Sequence, residues 1–155
     1  MSKSGRYAAD RKKIASLSCF GAANLAISVD KVKCGTIFIC TPAGDDGNEG
    51  ATITLPSVTA AGNGWWCKFV LNAAIASDSD DNNNIVIQNA AGETDNMIVG
   101  LPADAGADGA GAADGASVTF VEGAAQAGDE VEVICIGSRW YVRAHCAVVG
   151  GVTKQ

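Results

Sequence analysis

Histidine occurs once in this chain, methionine twice and proline three times. No stretch approaches the ~18 uninterrupted apolar residues that a membrane-spanning helix needs, so no membrane partner is expected. The single histidine, His145, makes any Ser-His-Asp or Cys-His catalytic arrangement depend on one side chain. A phosphate-binding loop is also missing, because the glycines between Gly106 and Gly115 lack the terminal Gly-Lys-Ser/Thr and a following helix. The six cysteines (Cys19, Cys34, Cys40, Cys67, Cys135 and Cys146) form no CxxC pair and match no zinc-finger spacing. The basic N-terminus is not followed by the apolar core of a signal peptide. These gaps point away from an enzyme and predict neither cofactor nor metal.

What is present fits one domain of 155 residues, long enough to bury a sizeable core without disulfide staples. Cys135 stands among valines, and free cysteine packs as a small apolar group. Buried, reduced thiols made in a reducing cytosol are therefore expected, with disulfides as the lesser alternative. Charge is unevenly placed. Lys3, Arg6, Arg11, Lys12 and Lys13 stand against Asp10 in the first thirteen residues, whereas the whole chain has a formal net charge of −6. The result is a basic arm on an acidic body. Such a body repels phosphate and has no basic stripe with interleaved aromatics, so nucleic acid is not the expected partner. A segment that docks on an acidic protein surface is.

Short alternating runs fill the rest. "CGTIFIC" (34–40) and "GATITLP" (50–56) are bounded by glycine loops or proline, and "WWCKFVL" (65–71), "IVIQ" (85–88), "NMIVG" (96–100) and "GASVTFVEG" (115–123) continue the pattern. Ile14 to Val32 settles on neither the helical nor the strand period and reads as an extended lead-in. Residues 103–116, "ADAGADGAGAADGA", lack the apolar surface to offset ordering and read as a surface loop. "GATITL" and "GASVTF" echo each other, which suggests two β-meanders on one core; two copies are too few for a solenoid. The expected fold is all-β, a single-domain β-sandwich or barrel of short antiparallel strands with an extended N-terminal arm. Its parts are the arm and lead-in (1–33), the β-domain (34–149) and a short tail (150–155).

The stretch that gathers histidine, cysteine and carboxylate is "GDEVEVICIGSRWYVRAHC" (128–146). Its alternation around Gly137-Ser138 predicts a hairpin with a type II′ turn. That register places Glu132 opposite Arg143 and Glu130 opposite His145, as structural cross-strand pairs worth roughly 0.2–1 kcal/mol each. Cys135 and Cys146 then face away from these partners, and a zinc site would need its ligands on one side. Two acidic loops supply hard oxygens for calcium: Asp78, Asp80 and Asp81 with Asn82 to Asn84, and more loosely Asp104, Asp108 and Asp114. Neither follows the EF-hand pattern, and solvated loops are the plainer reading.

The order of "TITLP", a glycine loop, an aromatic strand, "NIVIQ" and above all "VTFVEGAAQAGDEVEVICIGSRWYV" resembles the small β-rich capsid decoration (cement) proteins of tailed bacteriophages, particularly of marine and cyanobacterial hosts, over roughly residues 35 to 147. The resemblance implies a non-enzymatic structural protein on the outer surface of the virion, made in the host cytoplasm. It implies a homotrimer that clamps neighbouring major capsid protein subunits and stabilises the capsid. Lys3, Arg6, Arg11, Lys12 and Lys13 are the expected capsid contacts. The alternative is a receptor- or carbohydrate-binding module of a tail fibre or spike, with Trp65, Trp66, Trp140 and Tyr141 as stacking faces.

Overall fold

The computed structural model describes residues 13–42, 50–77, 82–93, 96–100 and 113–154. Among these residues twelve strands form two sheets. One is ordered β1 (Ile14–Cys19), β3 (Thr36–Pro42), β5 (Trp66–Leu71), β10 (Glu130–Ile136), β11 (Arg139–His145), β7 (Met97–Gly100) and β8 (Ala113–Gly115). The other is ordered β12 (Val152–Lys154), β9 (Ser117–Phe120), β6 (Ile85–Gln88), β4 (Ala51–Thr54) and β2 (Ala23–Ala26).

The sandwich expected from the sequence is present, but its sheets are mixed rather than antiparallel. β1, β3 and β5 pair parallel, as do β2, β4 and β6, and β7 pairs parallel with β11. The first six strands alternate strictly between the sheets, so the chain winds three times around a shared core. Parallel neighbours need a crossover of a dozen residues or more, and here each crossover carries the strand given to the opposite sheet. Ile14, Ile37 and Lys68 stand in register on successive turns. The second half folds back antiparallel: β10 on β5, β11 on β10, β9 on β6 and β12 on β9.

This winding revises the internal echo. "GATITL" and "GASVTF" supply β4 and β9 of the same sheet, on either side of β6, rather than two separate meanders. The lead-in supplies β1 and β2 to the sheets, and the short tail supplies β12.

The core follows from the two-residue side-chain period. β3 alternates buried and half-buried along its whole length, and Phe38, Cys40, Cys67, Phe69, Val131, Val133, Trp140 and Val142 line the inner face of the larger sheet. Ile53, Ile85, Ile87, Val118 and Phe120 line the inner face of the smaller. Phe38 stacks on Phe69 with centroids 5.2 Å apart, and Trp65 meets Trp140 edge to face at 5.7 Å. Each such pair adds about 0.5–1.5 kcal/mol beyond area burial. One turn of helix, α1 (Val58–Ala61), closes an end of the core. Ser57 starts it by accepting the Ala60 N–H, and Gly62, at φ +74°, ends it.

Candidate functional site

The β10–β11 hairpin has Gly137 at φ +63° and Ser138 without a positive φ, which is the type II′ pattern. Glu132 faces Arg143 and Glu130 faces His145 across the ladder. These four side chains lie on the outer face, while Val131, Val133, Cys135, Trp140 and Val142 turn inward. The carboxylates look to the other neighbouring strand for their ion pairs. Lys68 Nζ of β5 is 2.9 Å from Glu130 Oε1 and 3.7 Å from Glu132 Oε2. The hydrogen bond to Glu130 holds the Lys68 ammonium above its ordinary pKa, against the opposing effect of burial. Arg143 and His145 make no ion pair among the described residues.

The cysteines do not join this group. Cys135 packs inward with its Sγ 3.6 Å from the Val58 carbonyl, and burial raises its pKa. Cys146 is half-buried near Asp129, a carboxylate only 1 % exposed. Asp129 accepts the Gln126 and Ala147 backbone N–H groups at 2.8 Å each and so ties the start of β10 to the turn after β11. Its role is structural. Cys19, Cys40 and Cys67 are buried free thiols, and Cys34 is exposed. The Cys40 thiol donates toward Cys19, which raises the pKa of Cys40 and lowers that of Cys19; burial pushes Cys67 up. No group of three or more His, Cys, Asp or Glu among the described residues is arranged to hold a metal.

On the smaller sheet an open cleft of about 400 Å³ is lined by Ala22, Asn24, Thr52, Asn82, Asn84 and Val86. Two of its three amide oxygens are already engaged: Asn82 Oδ1 accepts the Asn84 N–H, and Asn84 Oδ1 accepts the Glu122 N–H. The Asp78, Asp80 and Asp81 of the calcium expectation lie outside the described residues, as do Asp104 and Asp108.

Two further features are not among the residues singled out from the sequence. The first is the end formed by the opening turn of the winding. β1 is an edge of one sheet and β2 an edge of the other, so among the described residues two unpaired strand edges lie at one end of the sandwich. Their inward side chains, Ala15, Leu17, Ala23 and Leu25, reach the core yet remain only partly buried. Ile14 is 68 % exposed and Phe20 43 %. Lys13, exposed, leads into β1 and its carbonyl accepts the Ile37 N–H; Lys3, Arg6, Arg11 and Lys12 lie outside the described residues.

The second is the outer face of the larger sheet. Its register aligns Trp66, Ile134, Tyr141 and Ile98 in one row across four strands, with Ile37, Ile39 and Val70 nearby on β3 and β5. Trp66 lies against Gly35, where a Cβ would come within 3.3 Å of the indole. Alternation gives the cue to both features, since Ile14, Ile37, Ile39 and Ile134 occupy outward positions where polar residues are usual. Of the four aromatics, Trp65 and Trp140 are buried in the edge-to-face pair, leaving Trp66 half-buried and Tyr141 exposed.

No protein-family model, curated protein or solved structure matches the chain.

Proposed function

We propose that this chain is a non-enzymatic structural protein of a tailed-bacteriophage virion that binds the outside of the head and clamps neighbouring major capsid subunits. The observation that carries the reading is the first turn of the winding, whose two strand edges no other described strand pairs and which leaves Ile14 and Phe20 exposed at one end. Unpaired edges and half-covered apolar positions are a liability for a free protein and an asset for one that docks. The basic stretch Lys3 to Lys13 leads directly into this end, so cationic and apolar recognition act together. The capsid as partner, the homotrimer and the virion location come from the resemblance. On a symmetric lattice many modest contacts gain from multivalency when their spacing permits simultaneous engagement.

A receptor- or carbohydrate-binding fibre module has less support, because two of its four stacking aromatics are enclosed in the core. Co-sedimentation with phage heads lacking this protein tests the proposal. The full chain is expected to pellet with heads and to raise their resistance to heat, and deleting residues 2–13 is expected to lower occupancy at least tenfold. A chain that stays in the supernatant at all ratios sinks the reading.

A further inference from the structure

We infer that the part of the sandwich closed by α1 binds ordered water between its two sheets, held by Asn89, Glu93 and Trp140. Each of the three has a buried polar atom without a hydrogen-bond partner among the described residues: both amide atoms of Asn89, Oε2 of Glu93 and Nε1 of Trp140. Asn89 is 6 % exposed and Trp140 is fully enclosed. Burying an amide or an indole N–H without a partner is costly, and folded chains satisfy such groups with protein or with bound water. Along β6 and just past it, Ile85, Ile87 and Asn89 are the buried, inward positions. The asparagine thus stands where the two-residue period calls for an apolar side chain.

The fold brings these groups together from both layers. Trp140 points inward from the larger sheet beside Cys135, its cross-strand partner. Cys135 Sγ lies 3.6 Å from the Val58 carbonyl, and the Val58 N–H donates to Glu93 Oε1 at 3.0 Å. Burial, helped by the nearby Glu93 carboxylate, raises the Cys135 pKa. Asn89 enters from the smaller sheet, where the Leu55 N–H bonds to the Gln88 carbonyl and so sets Leu55, just before α1, alongside Asn89. A turn closed by the Glu93 N–H on the Ala90 carbonyl then carries the chain from Asn89 to Glu93. Asn89 Nδ2 and Trp140 Nε1 are donors, and Asn89 Oδ1 and Glu93 Oε2 are acceptors. A bare cation would meet the N–H groups and an anion the carboxylate, whereas a neutral O–H molecule both gives and takes. Leu55, Met97 and Cys135, at most 2 % exposed, pack around the site and limit its occupant to the size of water. Glu93 is half-buried and Ala91 and Gly92 are exposed, so solvent has a short path in at this turn. Water here joins the two sheets as apolar contact does elsewhere in the core.

Nuclear magnetic resonance on the isotope-labelled full chain tests this, with the Trp140 indole proton identified by its loss in Trp140→Phe. Selective excitation of the water resonance should transfer magnetisation to that proton, with the sign expected of a molecule that tumbles with the protein. Cys135→Ala removes the exchangeable thiol beside the indole and should leave the transfer in place. Asn89→Leu should cut it by roughly fivefold or more and lower the melting temperature by several degrees, because Trp140 and Glu93 then lose their bridge. At a dry site the same substitution removes an orphaned amide and raises the melting temperature. A wild-type chain without transfer to Trp140, transfer lost in Cys135→Ala or undiminished in folded Asn89→Leu, or a higher melting temperature for Asn89→Leu, each overturns the inference. The wild-type and Cys135→Ala spectra decide it even where Asn89→Leu does not fold.

Discussion

The two outer faces of this sandwich are built on the same backbone pattern with different chemistry. On the larger sheet the outward positions include Ile37, Ile39, Trp66, Val70, Ile98, Ile134 and Tyr141 around the charged Lys68, Glu130, Glu132, Arg143 and His145; on the smaller they are Asn24, Thr52, Thr54, Val86 and Gln88, with Ser117 and Thr119 on the same side but buried. The inner faces, by contrast, are apolar but for Thr36 at the start of β3. Isoleucine, valine and threonine are all β-branched and all suit a strand, so forming the sheet does not demand isoleucine over threonine. The choice sets what each face meets. Threonine and glutamine keep the smaller sheet compatible with water, while isoleucine and tyrosine make the larger one costly to leave uncovered.

The largest effect expected from a single methyl group separates two glycines, one beside each face. A Cβ on Gly50, at the rim of the polar face, would lie 1.9 Å from the Asn84 carbonyl oxygen and 2.6 Å from the Asn83 carbonyl carbon. Both are backbone atoms, so no rotamer change relieves the clash. On the apolar face, a Cβ on Gly100 would have its nearest neighbour, the Val142 oxygen, at 3.6 Å. Gly50→Ala is expected to cost about 3 kcal/mol or more in urea denaturation. Gly100→Ala should fall within about 0.5 kcal/mol of the wild type, since lost chain freedom in the unfolded state offsets any mild crowding. Equal effects would show that the backbone beneath the polar face is not the tighter of the two.

A middle-sized effect is expected at Lys68, the cation embedded in the apolar face. Lys68→Met removes the partner of both Glu130 and Glu132, whose side chains are 36 % and 40 % exposed. Solvent screening limits the loss to about 1 kcal/mol at neutral pH. The pKa of Lys68 is raised in the folded protein, chiefly by its bond to Glu130. Its stabilisation is therefore complete below the unfolded lysine value of about 10.4 and lost as pH climbs through the higher folded value. Denaturation of both proteins from pH 7 to pH 11.5 should show a constant difference that shrinks only above about pH 10.5. A difference that vanishes by pH 9 would mean that the ion pair is not its source.

Local structure is the part of this fold most legible in the sequence. The β10–β11 register follows from Gly137-Ser138 and a few residues on either side, because a two-residue turn leaves the flanking strands one way to pair. The ion pairs of Glu130 and Glu132 are not local: Lys68 comes from 62 residues before Glu130. Strand direction is also hidden. Alternation says that one side of a strand is buried, and a parallel strand with one buried face alternates just as an antiparallel one does. Nor does the winding repeat a sequence, since Ile14, Ile37 and Lys68 are in register but unevenly spaced along the chain. The basic residues of the arm before Lys13 and the acidic positions from Asp78 to Asp81 lie outside the described residues. Of the candidate surfaces, the outer apolar row needs the register of four strands before its members become neighbours.

The smallest expected effect bears most directly on whether the faces differ in purpose. Thr54, half-buried on the polar face, accepts a hydrogen bond of 3.2 Å from Gln88 Nε2. Thr54→Val keeps the β-branched shape and removes the acceptor. Gln88 is only partly buried, so its amide can turn to water and no orphaned donor remains. The expected cost is below about 0.5 kcal/mol, with no change in molar mass. The reciprocal change, Ile39→Thr, puts a hydroxyl on the apolar face. If the homotrimer of the proposed function forms through this face, the effect appears in association and depends on protein concentration. Melting temperatures measured from 1 to 100 µM separate the two: Ile39→Thr should flatten the concentration dependence of the wild type, and Thr54→Val should preserve it. If both substitutions leave that dependence intact, the isoleucines of the outer face serve the fold of a single chain, and the contrast between the faces lies in packing rather than partnership.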